Sequence, residues 1–382
     1  MRHLNSRLSL TLLALLFLPF PTPAQSQFFQ LLTPTTGWFL AAHRLFYTTD
    51  SGAHWSDISP VQPFQIRVDK LGTVAVHFRG PVNAWALIAV PDLGPSPNCD
   101  ENFSFDLAST TDAGTHWSRH TIPITEFYPN GACRTFNGRG EIFFLDSNHG
   151  WIDLPTGTAG MPSSIVLYTT DGGISWHTSD NQDCGAGLLF TTARDGWSVS
   201  EIPEIFCVTH DGGATFTETT ITPPQEIAAA YPDRFSYASP IFQDPNHGFE
   251  IVSYTKINLS RAAMILYETR DAGRTWKPIR TLVGPTTGDF IPASVAGSTL
   301  ITGYRSSRHT LRLIEVPTHG FEQPTMDSSS GGWDLSFINE SNGWVLLYGV
   351  GLISTHDAGQ TWTNITLPDT QFGFLPRGNW GE

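Results

Sequence analysis

The chain has 382 residues, with 35 Asp and Glu against 21 Lys and Arg and a formal net charge of −14. Phosphate binding needs a basic stripe, so this balance excludes nucleic acid as an expected partner. Acidity by itself serves solubility and names no ligand.

At the N-terminus, Arg2 and Arg7 precede an apolar run from Leu8 to Phe20. The run is shorter than the roughly 20 residues of a membrane span, and Pro19, Pro21, Pro23 and Ala24 close it. Residues 1–24 are therefore expected to be a secretory signal peptide, cut near Ala24 or Ser26. No later stretch is long and apolar enough to span a bilayer, and no cysteine follows the run to carry a lipid. The expectation is a secreted or periplasmic mature chain, without a transmembrane segment, folding as a single domain over 27–382. Losing Arg2 and Arg7 leaves 19 basic residues against 35 acidic ones, a net charge of −16. Cys99, Cys133, Cys184 and Cys207 suit two disulfides in an oxidising compartment. Proximity favours Cys99 with Cys133 and Cys184 with Cys207. A zinc site is not expected, because neither a Cys-x-x-Cys spacing nor a nearby histidine pair is present.

One pattern, Thr/Ser-x-Asp-x-Gly-x-x-Trp, recurs along the chain. It runs Thr48 to Trp55, Thr110 to Trp117, Thr169 to Trp176, Thr209 to Phe216, Thr269 to Trp276 and Thr355 to Trp362. Asp50, Asp112, Asp171, Asp211, Asp271 and Asp357 hold the acidic position. A second motif precedes each box, an apolar strand end followed seven residues later by an aromatic, usually after Gly. Its copies are Leu31 to Trp38, Phe78 to Trp85, Phe144 to Trp151, Phe190 to Trp197, Phe242 to Phe249 and Phe337 to Trp344. This is hairpin spacing, and a third apolar run then leads into the box. One unit is thus a four-stranded antiparallel meander, with strands A and B joined by the Gly-Trp turn and C and D by the box.

Successive box aspartates lie 62, 59, 40, 60 and 86 residues apart, and the last gap holds two units. Ser298 to Tyr304 and Thr310 to Val316 read as strands of a degenerate sixth unit without a box. The expected fold is all-β, a seven-bladed propeller of four-stranded antiparallel blades. In each box a glycine supplies the positive φ of a tight turn, the aspartate accepts hydrogen bonds from turn amides, and the closing aromatic packs, stabilising by about 2–3 kcal/mol.

These motifs resemble the Asp-box, or bacterial neuraminidase, repeat. With the Gly-Trp turn they are similar to the propeller family of the photosystem II assembly and stability factor, and more distantly to sortilin-type domains, xyloglucanases and sialidases. The resemblance implies a turn-forming role for the six box aspartates and leaves activity open, since such repeats serve hydrolases, receptors and assembly factors.

In a propeller the box turns share a face with the A–B turns, and the B–C and D–A loops line the other. The long B–C loops, Pro91 to Asp106, Pro155 to Ser163 and Tyr254 to Ala262, place the expected working surface there. Arg134, Arg139, Arg234, Arg305 and Arg308 fall on the same side as candidate binding residues, against the plainer reading that they only solvate loops. Phe78-Arg79-Gly80-Pro81 echoes a sialidase segment but aligns with an ordinary strand end. Asp92, Asp100, Glu201, Glu204 and Asp233 are loop acids for a glycosidase reading, whereas Asp146 and Asp244 recur as turn caps. His54, His116, His149, His210, His247 and His356 all occupy repeat turns, and no catalytic, metal or cofactor residue is singled out. The expectation is a non-catalytic scaffold for an unidentified protein partner at the cell envelope. The alternative is a glycoside hydrolase or carbohydrate-binding propeller.

Overall fold

Each Gly-Trp turn and each box joins the strands the repeat assigns to it. In the computed structural model, Phe29–Leu31, Gly37–Ala41, Arg44–Thr48 and Ser56–Asp57 form the first blade as an antiparallel meander. The structure describes residues 28–61, 64–65, 70–92, 102–124, 140–155, 164–180, 184, 187–199, 205–231, 234–256, 261–283, 288–296, 299–306, 310–316, 326–327, 333–347 and 351–368. The second blade begins at Thr73–Arg79, the third at Glu141–Phe144, the fourth at Leu189–Phe190 and the last at Trp333–Phe337.

The expected count of seven four-stranded blades is corrected by the sheet topology. The fold is an all-β propeller with six four-stranded antiparallel blades, and the sheet between the fourth blade and the boxless one has five strands. Its A region is split into Arg234–Tyr237 and Ile241–Phe242, which pair separately with Gly248–Lys256. Three residues, 238–240, stand opposite two in the partner strand, and Pro240 has no N–H to give the ladder, so pairing stops and restarts. The boxless unit keeps its full set of strands. Gly288–Ala296, Thr299–Ser306, Thr310–Val316 and Met326–Asp327 make a full four-stranded sheet, so backbone pairing does not depend on the box.

The apolar core lies between sheets. At four seams among the described residues the Gly-Trp tryptophan of one sheet stacks on the phenylalanine ending strand A of the next. Trp38 covers Phe78 at 5.9 Å between ring centroids, Trp85 covers Phe144 at 4.6 Å, Trp151 covers Phe190 at 3.5 Å and Trp197 covers Phe242 at 4.3 Å. The glycine before the tryptophan makes room for the ring: a Cβ on Gly196 would stand 2.4 Å from Phe190. The first and last sheets meet in a related way, with Trp344 against Gly37 and 5.9 Å from Trp55. The Leu31 amide donates to Ser336 Oγ and the Trp55 indole to the Thr366 carbonyl, both at 3.1 Å. Each terminal sheet uses strands from its own stretch of chain, so side-chain packing joins them.

Cys184 and Cys207 form a disulfide between buried residues, tying the segment before strand A of the fourth blade to its strand C. Cys99 and Cys133 lie outside the described residues, as do residues 1–27 and everything after Pro368.

Trp151 is 1% exposed and fills a seam on both faces. Trp151→Ala should cost about 3–5 kcal/mol of unfolding free energy, the range for truncating a large buried aromatic, as read by chemical denaturation. A loss within the surface range of about 0.5 kcal/mol would show that the seam stack is not structural.

Candidate functional site

The box aspartates are consumed by their own turns. Thr169 Oγ1–H donates to Asp171 Oδ1 at 2.8 Å and accepts the Gly173 amide at 2.9 Å. The Ser175 amide donates to Asp171 Oδ1 at 2.9 Å and its hydroxyl to Oδ2 at 2.7 Å. Asp211, Asp271 and Asp357 repeat the set with Thr215, Thr275 and Thr361, while Asp50 and Asp112 take the Nδ1–H of His54 and His116 in place of a hydroxyl. Asp50 and Asp112 are held down to about 2 first by the His54 and His116 amides, and Asp171 to about 2 first by the Ser175 hydroxyl. A carboxylate stabilised as its anion makes a poor general acid at neutral pH.

Each box is also pinned to the A–B turn of its own sheet. Gly172 donates to the Asn148 carbonyl at 2.8 Å, Gly212 to Arg194 at 2.9 Å and Ala272 to Asn246 at 3.0 Å. The donor residue has a positive φ even where it is not glycine, as at Ser51, Ala113, Ala272 and Ala358. That conformation costs about 1–2 kcal/mol in an L-residue, and the bond to the turn opposes it. Both turn types therefore occupy one end of the sheets.

At this end, where the fourth blade meets the five-stranded sheet, Arg194, Asp195, His210 and Arg274 line a depression of about 340 Å3. Arg194 comes from an A–B turn and Arg274 from a box. The Arg194 Nε–H donates to the His210 carbonyl at 3.2 Å, leaving its terminal nitrogens directed elsewhere. Asp195 receives the His210 Nδ1–H at 2.9 Å and the Thr192 hydroxyl at 2.9 Å, so both its oxygens are engaged. Burial works against its anion, but the His210 and Thr192 hydrogen bonds and the Arg274 charge hold its carboxyl below the usual range. Two guanidinium groups line the depression beside a carboxylate that is hydrogen-bonded by His210 and Thr192.

The sequence-chosen arginines are placed differently. Arg234 opens its strand opposite Thr255 and Arg305 sits opposite Asp289 near its strand's end, both at the end away from the boxes. Arg134, Arg139 and Arg308 lie outside the described residues, as do Asp100, Glu201, Glu204 and Asp233, and Asp92 ends a strand. Phe78 is a seam ring, and the Pro81 carbonyl accepts the Tyr47 hydroxyl at 2.5 Å, so the sialidase-like segment is turn and packing. The turn histidines are hydrogen-bonded, His149 to Asp146, His247 to Glu268 and His356 to Asn342. Sequence reasoning passed over Arg194 and Arg274 because each occupies a variable repeat position.

It also passed over Glu250, a fully buried carboxyl in the five-stranded sheet, opposite Tyr267 and beside the strand break. Burial pushes it well above the usual range; the Ala238 and Ile251 amides lie near and offset this only in part, and neither carboxyl oxygen has a partner in hydrogen-bonding geometry. It is enclosed in the core at 0% exposure and does not line the depression.

The BNR/Asp-box repeat model matches residues 167–178. No curated protein sequence matches the chain. Among solved structures the chain is similar to YCF48 bound to D1 peptide, at 14% identity over 89% of this chain and 93% of that one, with a TM-score of 0.49. It is similar to YCF48 from Cyanidioschyzon merolae at 16% identity over 79% and 87%, TM-score 0.46. An ancestral GH74 enzyme is similar at 13% identity over 93% of this chain and 48% of that one, TM-score 0.52. This last likeness is one of fold and does not carry the enzyme's activity. The chain is a β-propeller in which residues 167–178 match the Asp-box repeat.

Two pH responses follow. The lowered box carboxyls contribute stability above about pH 4, their unfolded range, and lose it as pH falls toward 2. The melting temperature should therefore drop between pH 4 and 2, and drop less in Asp171→Asn; equal drops would remove the box from the acid response. Glu250 has the opposite sign: its raised carboxyl adds no pH-dependent cost below about pH 4 and destabilises progressively above it. Glu250→Met should be stabilising, with a gain growing by up to about 1.4 kcal/mol per pH unit until the folded group ionises. A gain independent of pH, followed by denaturation at pH 5 and 8, would refute the assignment.

Proposed function

We propose that this propeller is a non-catalytic scaffold that binds another protein at the cell envelope through anionic groups on that partner. The Arg194–Arg274 depression is the observation that carries the reading, because it offers paired guanidinium groups on a chain of net charge −14. The box carboxylates support it from the other side, since each is committed to its turn. Arg134, Arg139, Arg234, Arg305 and Arg308 stand in this proposal as anchors for contacts at the opposite end.

The test is affinity capture of partners from a cell-envelope extract by the mature chain. An Arg194→Glu, Arg274→Glu variant of unchanged melting temperature should retain a tenth of the captured partner or less. If only an Arg134, Arg139 and Arg234 triple alanine variant loses it, the working surface is at the other end and the depression is not the site. Incubation with sialosides and plant β-glucans should release no sugar; turnover abolished by replacing a loop carboxylate would make the protein a glycosidase.

A further inference from the structure

Two repeat positions make the depression between the fourth blade and the five-stranded sheet. Arg194 lies four residues after the strand-end Phe190, and Arg274 lies three after the box Asp271. At the seam between the second and third blades the same two positions hold Val82, four after Phe78, and Ile174, three after Asp171. The local structure repeats with them. The Val82 carbonyl accepts the Ala113 amide at 2.9 Å, as the Arg194 carbonyl accepts the Gly212 amide at 2.9 Å. A Cβ on Gly173, beside Ile174, would run into Leu107 of the second blade, as one on Gly273 would run into Trp197 of the fourth. Val82 and Ile174 therefore flank their seam at the box end as Arg194 and Arg274 flank theirs.

The fold does not account for either side chain. Val82 is 46% exposed and Ile174 is 76% exposed. Neighbouring seams fill the two positions with small or polar residues, Thr35 and Thr115 at the first, Asn148 and Ala214 at the third. Those residues suit solvated turns, whereas a branched apolar side chain turned to water there gains no burial and brings no hydrogen bond. Single exposed apolar residues are ordinary on any protein surface, but these two hold matched positions across one seam. Two side chains fall far short of the ~1,200 Å2 that a stable interface buries, so the pair does not by itself hold a second copy of the chain. It suits one anchor of a larger footprint, and the depression lies on the same end, two seams further on.

We infer that Val82 and Ile174 are the apolar anchor of the protein-docking surface at the box end, covered by an aliphatic or aromatic side chain of the same partner whose anionic group enters the depression. The anionic contact rests on the function proposed above. The apolar contact rests on the exposure of the two residues and on their repeat positions. Interface anchors of this kind pair an apolar contact with a polar one at a distance, which fixes the orientation of the partner as well as its affinity.

The probe is a random peptide library displayed on phage and selected against the full mature chain, with the strongest binders synthesised and measured by fluorescence anisotropy. The selected peptides should combine Asp or Glu with Leu, Ile, Val, Phe or Trp. Val82→Thr, Ile174→Thr installs the residues of the first seam and should weaken their binding tenfold or more at unchanged melting temperature. Arg194→Ala, Arg274→Ala should do the same. If only the alanine variant loses binding, the depression stands and the apolar anchor is overturned. If only the threonine variant loses it, the apolar anchor stands and the depression drops out of the proposed function. Selected peptides that bind both variants as tightly as the original chain, or that lack the acidic and apolar combination, overturn the inference. So does self-association, seen by sedimentation velocity, that disappears in the threonine variant, because that result assigns the pair to a second copy.

Discussion

The stack of one sheet's tryptophan on the next sheet's phenylalanine is the contact on which the architecture turns. It needs three residues at once: a glycine to clear space over the strand-end ring, the ring itself, and the tryptophan that reaches across. Trp151 shows the reach, lying 3.5 Å from Phe190 by centroid while its indole N–H donates to the Gly212 carbonyl at 2.7 Å. A Cβ on Gly213 would stand 2.8 Å from that indole nitrogen. The seam therefore fixes the box glycine of the following sheet as firmly as the turn's own φ does, and hairpin and box are two halves of one inter-sheet joint.

This joint explains why so acidic a motif is chemically quiet. An aspartate that accepts from a threonine hydroxyl, a backbone amide and a further side chain has three of its roughly four lone-pair sites committed to its own turn. Its charge stabilises a turn containing two successive residues of positive φ, one of them often alanine or serine, which few other arrangements would hold. The motif that dominates the sequence is thus spent on holding sheets together. Function is left to positions where the repeats differ.

That division sets what a sequence can show. The strands, their order, the joining turns and the Cys184–Cys207 pairing were legible because each rests on residues close in the chain or repeated at fixed spacing. The five-stranded sheet was not, since its cause is one extra residue beside Pro240, and a lone proline between two apolar runs reads equally well as a loop. The boxless unit lacks the motif that marks the other units in the sequence, and backbone pairing alone builds its sheet. Arg194 and Arg274 meet only because an A–B turn of one sheet adjoins the box of the next, 80 positions away. No local pattern announces such a meeting, although both belong to turns that the repeat places on one end.

The same end-on geometry makes one sector of the molecule unlike the rest. The five-stranded sheet carries the buried Glu250, the strand break, the long outer edge and four cations in eleven residues, and it borders the depression. A propeller built from equivalent units has no inherent direction, so recognition of a single partner requires that symmetry be broken somewhere. Here the break in strand A on the inner side and the lengthened strand D on the outer side occur in one sheet. The sector with the least regular backbone is thus also the one in which four cations fall within eleven residues of an acidic chain.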